Sequence, residues 1–227
     1  MSNQLNIDLD QANAALDGKT PQDIIAWALA QGSNPIITTN FRPYEVVLLD
    51  MVAKQRPDIT VLFVDSGYNT EATYRHAQDL IKRLNLNVVT YLPKQTAAWR
   101  DVEFNGVPSV NNPAHDAFTQ QVKLEPFGRA LKEIAPDVWI NAIRKDQTEF
   151  RQSLDVLSES KDGVLKVAPL FHWSEQDLEA YLKAHDLPNE HDYFDPTKVE
   201  ENRECGLHTQ LWCKTLWCKK TVFSALR

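Results

Sequence analysis

The 227-residue sequence contains no apolar run of about 18 residues, the shortest length for a membrane-spanning helix. Its N-terminus also lacks the basic start and hydrophobic stretch of a secretory signal. There is no excess of basic residues, since 24 Lys and Arg face 31 Asp and Glu and the net charge is −7. Proteins that bind nucleic acid normally carry a basic face that neutralises phosphates. We therefore expect a cytoplasmic protein that binds neither membranes nor nucleic acid.

Cysteine is also scarce, and the three cysteines lie close together near the C-terminus, at Cys205, Cys213 and Cys218. An odd number argues against a secreted disulfide framework and fits a reducing compartment. Their spacing matches no common zinc pattern, so we expect no metal site. Cys213 and Cys218 have two interpretations: a resolving or redox-sensing role, or packing against the body of the protein through Trp212 and Trp217.

Much of the chain alternates between short β-rich runs and segments with helical periodicity. The β-rich runs are residues 35–39, 60–64, 87–91 and 138–142, with a hairpin-like strand at 163–168. Helices are expected to begin at Thr20-Pro21 and after Ser174, and to span residues 44–54 and 127–135. Another helix is expected after residues 65–67 and should end at about residue 84. This alternation predicts an α/β fold with a parallel-core twisted sheet and helices on both faces.

The segment Arg203-Glu204-Cys205-Gly206-Leu207-His208 has the composition of a reactive cysteine site. The thiolate is the attacking species, and nearby positive charge from Arg203 or His208 stabilises it. Gly206 allows the backbone to bend so that the sulfur can reach another molecule. The competing interpretation is an inert, buried cysteine, which is common in intracellular proteins.

This segment resembles the signature of the 3′-phosphoadenylyl sulfate reductase family. Other stretches with the same resemblance are residues 64–68, 123–131 and 139–151, together with Pro169, Trp173 and Asp177. The likeness spans roughly residues 35–208, in the family's order. Each stretch alone is a weak signal, and together they are a strong one.

The resemblance implies an adenine nucleotide alpha hydrolase-like fold, which is pyrophosphatase-loop-like. It divides the chain into a helical segment at 1–34, a sulfonucleotide-binding α/β domain at 35–186 and a mobile C-terminal segment at 187–227. In the implied reaction Cys205 takes a sulfonate from 3′-phosphoadenylyl sulfate, and thioredoxin or glutaredoxin then releases sulfite. No cofactor is implied: related enzymes with an iron–sulfur cluster carry a cysteine pair where this chain has Phe118-Thr119. The oligomeric state stays open, with a homodimer as one option.

Two loops that follow predicted strands are candidate substrate sites, because ligands of parallel sheets lie beyond the carboxyl ends of the strands. Their candidate residues are Thr38, Thr39, Asn40 and Arg42 in the first loop, and Asp65, Ser66 and Gly67 in the second. The first offers hydroxyl, amide and guanidinium groups to an anion. In the second, Gly67 permits close approach to adenine or ribose. The competing interpretation of both loops is an ordinary strand-to-helix turn.

A third group, Arg144, Gln147 and Arg151, follows the strand at 138–142. Helical spacing is expected to place Gln147 and Arg151 on one face, and guanidinium groups match the paired oxygens of sulfate and phosphate. The competing interpretation is a set of salt bridges with nearby acidic residues. Arg203 and His208 complete the candidate substrate-binding set, although a packed histidine is an alternative. Lys123 and Glu125 are expected to pair with each other or to serve the site.

Two departures from the family pattern keep other functions open. Asn40 and Arg42 replace a serine and a glycine of the family's first loop, and the segment from 187 to 203 is shorter than in typical members. One alternative is a non-catalytic sensor that binds a sulfonucleotide. Another is an ATP-dependent adenylyl transferase of the related fold, although the glycine pair and aspartate that its loop requires are missing.

Overall fold

A computed structural model describes residues 5–198 of the chain. Its strands are β1 (Pro35–Thr39), β2 (Thr60–Val64), β3 (Asn87–Tyr91), β4 (Val138–Ile140), β5 (Leu157–Glu159) and β6 (Leu165–Val167). They form one six-stranded sheet in the order β3-β2-β1-β4-β6-β5. All neighbouring pairs are parallel except β5 and β6, which form an antiparallel hairpin. The predicted α/β fold with a parallel core is confirmed.

The α-helices of the described residues are α1 (Leu9–Leu16), α2 (Pro21–Gln31), α3 (Glu45–Gln55), α4 (Glu71–Arg83), α5 (Ala97–Phe104), α6 (His115–Thr119), α7 (Glu125–Ile134), α8 (Glu149–Gln152) and α9 (Glu175–Ala184). A π-helical turn, Gln120–Leu124, joins α6 to α7.

Helix starts follow the capping residues that the sequence indicates. The Thr20 side chain accepts a hydrogen bond from the backbone N–H of Asp23, and Pro21 occupies the first helical position of α2. At α9, Ser174 and Asp177 form a reciprocal capping box. Such caps satisfy backbone donors that have no partner within the helix.

Alternation along the strands distributes apolar side chains to the two faces of the sheet. Ile37 of β1 belongs to a large core cluster that includes residues of α2, α3 and α9. Its neighbour Ile36 belongs to a smaller cluster on the opposite face, with Phe127 and Ala130 of α7. Helices therefore cover both faces, as predicted.

The structure adds to the sequence expectations at two places. Helix α1 lies within the expected helical segment at 1–34, before the helix expected from Thr20-Pro21; Asp8 caps it, and Leu16 anchors it in the large core cluster. Between residues 144 and 157 only the one-turn helix α8 forms, and the chain then enters β5. In both regions tertiary packing decides the structure, because the local pattern is weak.

Within residues 5–198, no helix has the length and apolar character required to cross a membrane.

Candidate functional site

A pocket opens at the carboxyl edge of the sheet, beyond strands β1, β2 and β4. Its polar lining consists of Thr38, Thr39, Asn40, Arg42, Glu45, Lys123, Asn141, Arg151, Tyr193, Asp195 and Lys198. Apolar side chains that include Leu62, Val64 and Phe127 form the floor and walls. The lining thus combines oxyanion-binding side chains with an apolar surface, a combination typical of small-molecule sites.

The β1–α3 loop, residues 40–44, is held by the carboxylate of Glu45. The Thr39 hydroxyl donates to Glu45 Oε2 at 2.8 Å, the Asn40 backbone N–H donates to the same oxygen at 2.7 Å, and Arg42 Nε donates to Oε1 at 2.8 Å. Glu45 is the first residue of α3, and only 7% of it is exposed. A carboxylate is favourable there because the N-terminus of a helix carries a partial positive charge.

Left-handed backbone in this loop occurs at Phe41 and Tyr44, with φ values of 53° and 69°. Such values are uncommon for residues other than glycine. Arg42, which replaces the glycine of the family pattern, is not among the residues with positive φ. Phe41 is buried and packs edge-on against Phe63, with ring centroids 5.1 Å apart, which holds this conformation in place.

The β2–α4 loop, residues 65–70, is held by a carboxylate at its start. Asp65 Oδ1 accepts hydrogen bonds from the Gly67 backbone N–H at 2.9 Å, from Asn69 Nδ2 at 3.0 Å and from the Tyr74 hydroxyl at 2.8 Å. Burial, together with the bond to Asp65, raises the pKa of Tyr74 to about 12. Gly67 has a φ of 81°, so a glycine suits this turn.

Arg100 stabilises the β2–α4 loop through hydrogen bonds to backbone carbonyl groups. It is 1% exposed and donates to the backbone carbonyl groups of Ser66 at 2.5 Å and Gln95 at 2.6 Å. Its guanidinium also lies over the ring of Tyr68, 5.1 Å from the centroid. Ser66 lines a second, smaller cleft that shares Asn40, Val64 and several other residues with the main pocket.

The candidate residues after β4 divide into one lining residue and two supporting ones. Arg151 is 3% exposed and lines the pocket, and its guanidinium donates to the Gln147 side-chain oxygen. That oxygen also accepts from the Arg144 backbone N–H at 3.1 Å. The Arg144 side chain pairs with Asp146 at 3.1 Å. Gln147 and Arg151 therefore meet as expected, but through a turn and the short α8 rather than along one continuous helix.

Lys123 closes one wall of the pocket. Its ammonium donates to Asp195 Oδ2 at 2.6 Å and to Thr197 Oγ1 at 3.3 Å. Burial would raise the pKa of Asp195, but the charge and hydrogen bond of Lys123 hold it below its usual range. The structure corrects the expected pairing of Lys123 with Glu125, because Glu125 binds Arg129 and Lys94 instead.

The segment at residues 187–198 lies across the ends of both strand-to-helix loops. Asn189 Oδ1 accepts from the Tyr44 backbone N–H at 2.8 Å. The hydroxyl groups of Thr70 and Thr73 donate to the Asp192 carbonyl at 2.7 and 2.9 Å. Burial and the nearby charge of Asp195 raise the pKa of Tyr193, which lines the pocket. The chain immediately before the candidate cysteine segment is therefore part of the site.

The structure brings together most of the residues that the sequence indicates. Thr38, Thr39, Asn40, Arg42 and Arg151 line the main pocket, and Ser66 lines the adjoining cleft. Asp65, Gly67, Arg144 and Gln147 build the loops around it. Cys205, Arg203 and His208 lie outside the described residues, as does the remainder of the predicted mobile segment beyond residue 198.

Sequence reasoning missed Glu45, Asn141 and Asp195. Glu45 had a usable signal, since an acidic residue at a helix start, three positions after an arginine, favours a local ion pair. The pairing of Asp195 with Lys123 had none, because 72 positions separate the two residues. Within the described residues, no group of three or more His, Cys, Asp or Glu side chains is arranged to hold a metal ion.

Comparison with known proteins agrees with this geometry. Residues 34–195 match the family model described as the phosphoadenosine phosphosulfate reductase domain. The chain is 31% identical to a phosphoadenosine 5′-phosphosulfate reductase of Xanthomonas axonopodis pv. citri (strain 306), across 90% of this chain and 94% of that protein. The family resemblance of the sequence is therefore confirmed.

Solved structures extend the comparison. A phosphoadenylyl-sulfate reductase from Candida auris, crystallised as a phosphate complex, matches with a TM-score of 0.70 and 25% identity, covering 80% of this chain and 87% of that one. An FMN adenylyltransferase from Candida glabrata matches with a TM-score of 0.55 and 15% identity, covering 83% of this chain and 62% of that one. The second likeness shows the fold alone, and it agrees with the predicted adenine nucleotide alpha hydrolase-like architecture.

Proposed function

Because the chain belongs to the phosphoadenosine phosphosulfate reductase family, we propose that it reduces 3′-phosphoadenylyl sulfate to sulfite and releases adenosine 3′,5′-bisphosphate, a step of sulfate assimilation. The main support for the proposal is that the residues of the family match also line the pocket. Residues 34–195, which match the family, form nearly the whole polar pocket at the carboxyl edge of the sheet.

The substrate carries a phosphosulfate and a 3′-phosphate, so its site requires several oxyanion-binding groups. We assign substrate binding to Thr38, Thr39, Asn40, Arg42, Asp65, Ser66, Gly67, Arg144, Gln147, Arg151, Arg203 and His208. Arg42 and Arg151 are assigned to direct anion contacts, because both line the pocket and a guanidinium binds two oxygens at once. Asp65, Gly67, Arg144 and Gln147 hold the loops that present the binding groups.

The chemical step is assigned to Cys205. Its thiolate attacks the sulfur of the bound sulfonate, so that a sulfur–sulfur bond forms and the bond from that sulfur to the phosphate oxygen breaks. Adenosine 3′,5′-bisphosphate leaves with the electron pair, and Cys205 keeps the sulfonate as S-sulfocysteine. Positive side chains of the pocket offset the charge that develops on the leaving phosphate.

A dithiol protein, thioredoxin or glutaredoxin, completes the cycle. One of its thiolates attacks the Cys205 sulfur and expels sulfite, leaving a mixed disulfide. Its second thiol then attacks that disulfide, so the donor is oxidised and the Cys205 thiolate is restored. This chemistry suits the reducing cytoplasm, to which we assign the protein.

The test is incubation of the purified protein with 3′-phosphoadenylyl sulfate in the absence of reductant, followed by mass spectrometry of its peptides. We expect a sulfonate on the peptide that contains Cys205, and its loss with release of sulfite after thioredoxin is added. An unmodified protein that still binds the nucleotide would favour a sensor. Adenylyl transfer that requires ATP would favour a transferase and contradict the proposal.

A further inference from the structure

We propose that Glu45 is a positioning residue that fixes Arg42 for binding an oxyanion of the substrate. This inference rests on the proposed function of the pocket. Arg42 Nε donates to Glu45 Oε1 at 2.8 Å, and both residues line the pocket. The Glu45 side chain is 9% exposed and the Arg42 side chain 25% exposed, so the carboxylate partner is nearly buried and the arginine is partly exposed to solvent.

The contacts of Glu45 explain how the loop keeps one shape. Its second oxygen accepts from the Thr39 hydroxyl and from the Asn40 backbone N–H. The Thr39 hydroxyl oxygen accepts in turn from the Phe41 backbone N–H at 2.9 Å. One carboxylate therefore ties the end of β1, the loop backbone and the arginine to the first turn of α3.

An arginine held in this way loses less side-chain entropy when an anion binds. An arginine side chain that moves freely gives up its rotamer freedom when an anion fixes it, and this loss weakens binding. A bond through Nε fixes the plane of the guanidinium, and the two terminal nitrogens then define where an oxyanion can bind in a forked geometry. Glu45 acts through Arg42, so its removal is expected to weaken anion binding rather than to relieve charge repulsion.

Helix α4 supplies a matched control. Glu71 is the first residue of α4, as Glu45 is of α3, and it also pairs with an arginine, Arg75, at 2.5 Å. The Glu71 and Arg75 side chains are 78% and 76% exposed, and neither lines the pocket. Glu71→Gln therefore removes the same charge from the same helical position without touching the proposed site.

The experiment measures binding of adenosine 3′,5′-bisphosphate and of inorganic sulfate by isothermal titration calorimetry at low salt. We expect Glu45→Gln to weaken binding of the nucleotide about tenfold, the effect of losing one charge-assisted hydrogen bond, and Glu71→Gln to change it by less than about twofold. The effect of Glu45→Gln should fall below about twofold in the Arg42→Ala background, because the two residues act as a unit. Unchanged or tighter binding by Glu45→Gln would overturn the inference.

Arg42→Lys provides a second test if Glu45→Gln does not fold. It keeps the positive charge but cannot form the fork, so we expect it to bind as weakly as Arg42→Ala. Wild-type affinity in Arg42→Lys would contradict the positioning role. Failure of the wild-type protein to bind the nucleotide at all would instead contradict the proposed function, which separates the two conclusions.

Discussion

The β1–α3 and β2–α4 loops follow adjacent parallel strands and face the same site, yet they are stabilised in opposite ways. In the β2–α4 loop, Asp65 at the strand end binds the backbone of Gly67. In the β1–α3 loop, Glu45 at the helix start binds back onto the loop, and Phe41 and Tyr44 adopt the left-handed conformation that Gly67 adopts in the other loop. Each loop is thus held by one carboxylate, which lies at the strand end in the β2–α4 loop and at the helix start in the β1–α3 loop.

This difference affects how each loop tolerates substitution. The β1–α3 loop depends on the buried carboxylate of Glu45, which accepts from three donors, and the β2–α4 loop depends on the left-handed backbone of Gly67. Removing the carboxylate or adding a side chain at Gly67 should therefore lower stability, whereas changing the exposed Glu71 at the start of α4 should not.

Glu45→Ala is expected to lower the free energy of unfolding by about 3 kcal/mol, because it leaves the buried Thr39 hydroxyl and the Asn40 N–H without their acceptor. Glu71→Ala should cost less than about 1 kcal/mol, since its ion pair is exposed. Urea denaturation followed by circular dichroism measures both values. Equal effects in the two variants would remove the distinction between a buried and a solvated carboxylate.

Gly67→Ala is expected to lower the free energy of unfolding by about 1 to 2 kcal/mol, because its φ of 81° disfavours any side chain. Its added Cβ would lie 3.4 Å from Ala97 Cβ, so steric contact adds little and backbone strain dominates. Gly128→Ala is the control: it lies within helix α7, where nothing surrounds the added Cβ, and alanine favours helix. Thermal melts should show a loss for the first and a small gain for the second; a loss of the same size in both would contradict the strain argument.

Tyrosine ionisation affects both loops at alkaline pH. The pKa of Tyr74 is raised to about 12 by burial and by Asp65, and that of Tyr44 is raised to about 12 chiefly by its hydrogen bond to Glu175. A raised pKa contributes stability that is complete below pH of about 10 and is lost as the pH rises towards about 12. Because both pKa values are raised by a similar amount, Tyr74→Phe and Tyr44→Phe should each flatten the alkaline decline in stability. Urea denaturation from pH 9 to 12 checks both variants, and a decline in Tyr74→Phe as steep as in the wild type would contradict the role of Asp65.

Local signals account for what the sequence predicted well. The Thr20 and Ser174 caps, the β-rich runs and the turn at Gly67 each depend on residues a few positions apart. Because the carboxyl ends of parallel strands meet at one edge, the loops that contain Asn40 and Ser66 could be expected to share a site before any coordinates were known.

Features that depend on distant partners were not predictable in the same way. Helix α1 and strand β5 are set by packing: α1 lies against β5, and the Asn13 side chain exchanges hydrogen bonds with the backbone of Leu157. The pairing of Lys123 with Asp195 likewise requires the topology that brings residues 187–198 across the sheet edge. Patterns of residue type give no information on such contacts until the fold is known.

Sulfite release from 3′-phosphoadenylyl sulfate with reduced thioredoxin, compared between the wild-type protein and Cys205→Ser, tests the chemistry assigned to this cysteine. We expect sulfite from the wild type and none from Cys205→Ser, while both bind adenosine 3′,5′-bisphosphate with similar affinity. Sulfite release by Cys205→Ser, or none from a wild-type protein that binds the nucleotide, would contradict this assignment.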